Sequence, residues 1–549
     1  MTSPHDPRDS RTPRAPGYDD APTVIQEPAA PQSPRRRGVS RRAVVIGAAG
    51  AAVGLGAIGA GAGYALSRLP SLLTHGDIFS SDAGKVIHLL RRAGFGPSPA
   101  DLGVYLSLGA SGALDRLLNY SGVANDVDQR LAAYNFSFST RANLVRWWLA
   151  RMTLTQRPFE EKMTLFWHGV LTSSFAKIGK SVNLPLMIQQ NNLLRSHALG
   201  RFDDLMLAIS TDPAMLYWLD GRFNTGSRPN ENYSRELMEL FTLGIGNYTQ
   251  DDVHQGSKAL SGWVIRNGAG VFVPGRFYDG TITYLNHTGH LELKDVISIV
   301  CAHPATPGHV ARRMWSFFVY DNPSASDVQP MIDAYHQSDH QISAMVKAMF
   351  TSPAFYSEKA YRARVKSPAE FVVGAVRAMG VTPNIAALTI MGQAMAAMGQ
   401  TIFDPPNVAG WPGDQMSATW VSTQTWISRV NFINLLLAAA TGTRSSGGSH
   451  PVTGDAGSSA LQQIITAQKL GAAQDVLNYF VALLLDNQLA SDRKAIVLDA
   501  LTSAMTATAS NSASGAGGAL RLAGGATLPA VALRQALYLL MSMPEYQMN

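Results

Sequence analysis

Ser367-Pro368-Ala369-Glu370-Phe371-Val372-Val373-Gly374-Ala375-Val376-Arg377-Ala378-Met379 reads as the start and body of a buried helix. Serine caps the orphan N–H groups, proline suits the first helical position, and glutamate at the third position answers the cap. Ser98-Pro99-Ala100-Asp101 repeats the form, and Thr249-Gln250-Asp251-Asp252 is another capping box, opening a helix to about Leu260. Apolar residues recur at helical spacing through 144–167, 204–219, 341–350, 368–379, 426–439, 475–486 and 530–543. The exception is 263–285. There Val271-Phe272-Val273 and Ile282-Thr283-Tyr284 flank Pro274-Gly275 and Asp279-Gly280, which predicts one or two small hairpins. The expected fold is therefore mainly α: one large helical domain over 80–549 with a small β-hairpin. Stretches 441–459 and 502–527, rich in Gly, Ser, Thr and Ala, are expected to be flexible insertions.

Composition bounds the rest. The chain has 549 residues, 46% hydrophobic and 15% charged, which suits large packed cores and excludes a disordered protein. Its single cysteine excludes an intramolecular disulfide and a cysteine metal cluster. Of the net charge of +6, a +3 excess lies in residues 1–42, with eight Arg against five Asp and Glu. The body is nearly neutral, which argues against nucleic acid as the main partner.

Residues 1–39 hold eight of the 29 prolines and read as a disordered leader. Ser40-Arg41-Arg42-Ala43-Val44-Val45 then resembles the twin-arginine export motif, and 43–66 is uncharged and apolar. Region 40–70 is expected to be a twin-arginine signal, read by the translocase during export, or a membrane anchor through 43–66. Ala60-Gly61-Ala62 is a candidate cleavage site. Either reading places the body outside the cytoplasm.

Several motifs fail. Gly179-Lys180-Ser181 lacks the leading glycine of a phosphate loop, and neither a Gly-x-Ser-x-Gly elbow nor a His-Glu-x-x-His pair is present. Cys301 reads as buried and inert. The densest polar segment is Arg228-Pro229-Asn230-Glu231-Asn232-Tyr233-Ser234-Arg235-Glu236-Leu237-Met238-Glu239-Leu240-Phe241. With Asn230 as cap, Glu231, Arg235 and Glu239 form one row and Glu236 lies beside Glu239. Such carboxylates hold a metal or share a proton; equally, they build a salt-bridge ladder. His168, after Leu165-Phe166-Trp167, is a candidate ligand or a hydrogen-bonded core histidine. His303 before Pro304 suits a cap or a catalytic role. The turn-rich loop Asp404-Pro405-Pro406-Asn407-Val408-Ala409-Gly410-Trp411-Pro412-Gly413 suits a pocket wall or a packed cover.

In order along the body, these segments resemble the bacterial family called domain of unknown function 1800. The match runs through Arg91-Arg92-Ala93-Gly94-Phe95-Gly96, Met163-Thr164-Leu165-Phe166-Trp167-His168, Asp212-Pro213-Ala214-Met215, the Asn230–Leu240 segment, Ser261-Gly262-Trp263, His303-Pro304-Ala305-Thr306, the 404–413 loop, Trp420 and Arg429-Val430-Asn431. The resemblance implies a helical, exported protein of unestablished biochemistry and, as a partner, a second co-exported protein. This chain departs from the pattern at Val170 in place of a second histidine, at Phe277-Tyr278 in place of a His-Asp pair, and at Gln250 in place of an acid. Two function classes remain open. One is an extracytoplasmic enzyme, hydrolytic or metal-assisted, with Glu231, Arg235, Glu236, Glu239 and His168 as catalytic candidates. In it Trp411, Asp404, Asn230 and Trp263 contact substrate, a divalent metal is a candidate cofactor, and the site is intact or decayed. The other is a non-catalytic exported protein that binds a partner or a surface polymer.

Overall fold

Local capping sets the helix starts. Ser367 Oγ accepts from the Glu370 N–H (3.2 Å) while Glu370 returns a bond to the Ser367 N–H (2.7 Å). Thr249 and Asp252 close the same box, and Ser98 caps the helix Pro99–Leu118. The computed structural model describes residues 69–73, 76–179, 181–441, 459–510 and 518–549. They fall in one compact unit. Among the described residues helices dominate, and the strands form three two-stranded antiparallel sheets. The chain is mainly α, as its sequence predicts.

The periodic stretch 144–167 is two helices, Arg141–Leu154 and Pro158–Val170, because Pro158 removes a helical donor and starts a new helix instead. All thirteen residues of Pro158–Val170 are buried, including Glu160, Glu161, Lys162 and His168. Burying charge is costly unless it is paired. Glu161 accepts from Arg151 Nε (2.6 Å), Arg195 Nε (2.7 Å) and Nη2 (2.9 Å), and Trp148 Nε1 (3.0 Å). Lys162 pairs with Glu370. The far end of the chain also closes on this centre: Val365 bridges Met548, and the Asn549 N–H donates to the Arg364 carbonyl (2.7 Å).

The hairpin expectation is corrected in its pairing. Strand β1 (Trp263–Arg266) pairs with β2 (Ala269–Phe272) around Asn267-Gly268, and β3 (Ile282–Tyr284) with β4 (His287–Gly289) around Leu285-Asn286. Asn267 and Gly268 take φ of +51° and +74°, the pair of positive values that suits a two-residue hairpin turn. Pro274–Arg276 is a short 3-10 turn outside either hairpin.

The stretch 502–527 is described in part. Its alanine-rich start continues the helix Ser491–Ser510, and strands β5 (Ala519–Arg521) and β6 (Thr527–Pro529) pair with Leu520 and Leu528 buried. Residues 511–517 and 442–458 lie outside the described residues, as do residues 1–68, where the leader and the export signal or anchor were expected. From Leu69 the chain already belongs to the body, as the helix Leu69–Leu72 packs on Ala473–Leu485. No described helix is long and apolar enough to cross a membrane.

Candidate functional site

The 403–414 loop is stitched over the end of the Pro158–Val170 helix. Phe403 donates its N–H to His168 Nε2 (3.1 Å), Thr172 Oγ1 donates to the Val408 carbonyl (2.8 Å), and Ser174 Oγ donates to Asp404. The approach is close: a Cβ on Gly410 would sit 2.2 Å from the Gly169 carbonyl oxygen. Trp411 covers His168 with ring centroids 5.6 Å apart, and Trp148 and Phe403 complete the cage. Burial pushes the His168 imidazole down to about 3. It is a neutral acceptor at physiological pH, and no charged side chain moves it. His168, Trp411 and Asp404 therefore come together as a packing unit. The helix continues regularly through Gly169, and Val170 is buried in the core.

The acidic helix Glu231–Glu236 lies in other surroundings. Asn230 caps it, accepting from the Asn232 N–H (3.0 Å). Glu231 accepts from Arg235 (3.1 Å) and Gln250 (2.8 Å) and lies 3.3 Å from His254 Nδ1, all partly exposed. That is the salt-bridge ladder, worth about 0–1 kcal/mol per exposed pair. Glu236 and Glu239 are half-buried. Burial and the neighbouring Glu239 raise the Glu236 carboxyl, while Tyr248 donates its hydroxyl to Glu239 Oε2 (2.6 Å).

The backbone carrying Glu239 is a π-helical turn, Leu237–Thr242, continuing the α-helix. Its end leaves carbonyls without helical partners. The third α-helix further along the chain, Ala305–Phe318, supplies donors: His309 Nε2 (2.9 Å) and Arg313 Nη1 (3.2 Å) both donate to the Leu240 carbonyl. Burial holds the His309 imidazole down at about 4, so it serves as a neutral donor. Such single π turns recur at functional sites.

Neither half of the expected site reaches the other. His168 bonds Phe403, whereas the acids bond Arg235, Gln250 and Tyr248. Trp263 stands on β1 against Phe272, 5.5 Å between ring centroids. His303 acts as a cap, its Nδ1 accepting from the Ala305 N–H (3.2 Å). Among the described residues, no three His, Cys, Asp or Glu side chains are placed to hold a metal ion, so the candidate residues do not fit a divalent metal. A cavity of about 680 Å³ opens elsewhere, beside Gln462, Arg521 and Ala530, and none of the candidate residues lines it.

A family model described as "Protein of unknown function (DUF1800)" matches residues 88–548. The chain belongs to the DUF1800 family. No curated protein and no solved structure matches it. The DUF1800 match covers both the His168 cage and the acidic turn. Sequence reading missed Tyr248, His309, Arg313 and Asp414 of this DUF1800 chain. The i, i+4 spacing of His309 and Arg313 was the available signal for two of them. Asp414 stands one residue past the loop that was singled out. Burial pushes its carboxyl up to about 7, against the pull of Arg364, and its Oδ1 has no hydrogen-bond partner.

Proposed function

We propose that this DUF1800 protein is an exported acid–base enzyme of hydrolytic class, with Glu236 and Glu239 carrying the chemistry. The observation that supports this reading is the half-buried carboxylate pair where the α-helix passes into the π turn, Glu236 raised by burial and by Glu239. Glu236 keeps its proton to higher pH and is the acid. Glu239, hydrogen-bonded by Tyr248, takes a proton from water. Arg235 steadies the ionised state beside them. The partner and the surface polymer remain the alternative class, a non-catalytic exported binder. It is favoured by the consumption of His168 and Trp411 in packing.

The acid pair is tested by Glu239→Gln, which keeps size and hydrogen bonding but removes the like charge. Carbon-detected NMR titration is expected to show the Glu236 carboxyl falling toward its ordinary range. In a deletion strain with a measurable defect, neither Glu236→Gln nor Glu239→Gln restores the wild-type phenotype. An unmoved Glu236 titration together with full rescue by both variants sinks the reading.

Export is read through Arg41 and Arg42, and lysine does not replace the planar guanidinium pair. Arg41→Lys/Arg42→Lys is expected to leave folded protein in the cytoplasm, measured by fractionation. Normal export of that double variant removes the twin-arginine assignment. The co-exported partner that the family resemblance implies belongs to the same proposal. The body then works extracytoplasmically, secreted or held at the outer face of the cytoplasmic membrane through 43–66.

A further inference from the structure

The surface around β1 and β2 carries aromatic rings that the core does not use. Phe272 is 38% exposed and packs between Trp263 (5.5 Å) and Phe277 (5.5 Å). Next to it, the turn Gly221–Phe223 contacts β1, and Phe223 is 59% exposed. The Arg222 guanidinium lies over both the Tyr217 ring (4.1 Å) and the Phe223 ring (4.3 Å). The two groups are tied together by hydrogen bonds. Arg276 Nη2 donates to the Arg222 carbonyl (3.2 Å), and the Gly262 N–H donates to the Asn224 carbonyl (3.2 Å). Phe223, Phe272 and Phe277 all lie outside the core cluster.

Charge on this surface is one-sided. Arg222, Arg228, Arg266 and Arg276 form no ion pair among the described residues, and Nε of both Arg222 and Arg276 is shielded from water without a partner. The nearby acids are engaged or outlying: Asp220 pairs with Lys177 (2.9 Å), and Asp279 lies 3.9 Å from His290. A nearly neutral body has thus gathered unpaired arginines beside exposed rings. Rings stack on the apolar faces of sugar rings, and guanidinium groups take carboxylates in bidentate geometry.

We infer that the surface formed by Tyr217–Phe223 and the β1–β2 hairpin is a binding site for an anionic polysaccharide, its sugar rings stacking on Phe223 and Phe272 and its acid groups meeting Arg222 and Arg276. The inference goes beyond the acid-pair reading and does not depend on it. The hairpin reached by sequence as a fold exception is, on this account, a platform. Arg222 is held against two rings before any ligand arrives, which lowers the ordering cost of binding.

Affinity electrophoresis of the purified full chain through gels containing polygalacturonate tests the site, with neutral dextran and single-stranded oligothymidylate as the comparison ligands. Retardation by polygalacturonate and none by dextran is expected. Phe223→Ala keeps every charge, and its site is open to solvent, so its circular dichroism stays as wild type. It is expected to weaken binding about tenfold, the size of one lost stacking contact. Arg222→Ala is expected to do the same. Undiminished binding by Phe223→Ala overturns the proposal, leaving general attraction between a basic chain and a polyanion. Equal retardation in dextran overturns the acidic-polymer assignment. Tighter binding of oligothymidylate, abolished by Phe223→Ala, also overturns it and assigns the surface to nucleic acid.

Discussion

Glu370→Ala is expected to lower stability by roughly 3–5 kcal/mol, a large part of the roughly 5–15 kcal/mol that holds a domain folded. Burial alone would raise the Glu370 carboxyl, but Lys162 and Arg364 overcome it and hold the group at about 2. Lys162 is 0% exposed, its ammonium directed at Glu370 and lying 5.2 Å from the Phe317 ring centroid. Alanine strands that ammonium beside Arg92 and Arg364, which oppose it. The substitution also opens the capping box at Ser367. Urea unfolding measures the loss. The double replacement Lys162→Met/Glu370→Leu is expected to recover most of it, since an apolar pair carries no desolvation cost. Glu231→Ala, in the exposed ladder, is the comparison and costs no more than about 1 kcal/mol. Equal losses for Glu370→Ala and Glu231→Ala would falsify the buried-pair account.

Asp414→Asn is expected to stabilise the protein progressively as pH rises from about 4 to about 7. Burial pushes the Asp414 carboxyl up to about 7 against an ordinary 3.8, with Arg364 and Arg313 pulling the other way and Glu370 reinforcing the rise. Between those values the folded chain holds a proton that the unfolded chain has lost. Stability then falls with rising pH, by about 1.4 kcal/mol per pH unit, and levels off above the folded value. Asparagine does not titrate, so the variant escapes this loss. His168, held down at about 3, acts in the opposite sense. Its contribution is present above the unfolded imidazole range and is lost as pH falls toward 3. It is common to both proteins and cancels in their difference. Urea midpoints of wild type and variant at three pH values give the result. Parallel pH profiles would show that Asp414 ionises normally in the fold.

What the sequence revealed follows the range of the interactions. Ser98, Thr249, Ser367 and Asn230 were legible as caps because each bonds a residue two or three positions away. The Glu231–Arg235 pair was legible for the same reason, and exposure makes it a ladder. His168 stayed ambiguous because its partner Phe403 is 235 positions distant. The π turn was hidden because its clamp, His309 and Arg313, comes from a helix about seventy residues on. The hairpin partners were misread because Pro274-Gly275 looked like the stronger turn, whereas Asn267-Gly268 supplies the two positive φ values that a tight hairpin needs.

The enclosed helix Pro158–Val170 also constrains the order in which the chain can be made and folded. Its lysine waits for Glu370, 208 residues later, and its histidine for Phe403. Arg364, beside that lysine, is itself closed by Asn549, 185 residues further on. At about 5–20 residues per second, the gap from Lys162 to Glu370 alone is on the order of 10–40 s on the ribosome. Throughout that time Lys162 has no counter-ion and His168 no cover, although Arg151 and Arg195 are already at hand for Glu161. The N-terminal third therefore cannot lock as an independent unit during translation. The centre sets only when the strand-like contact between Val365 and Met548 has formed.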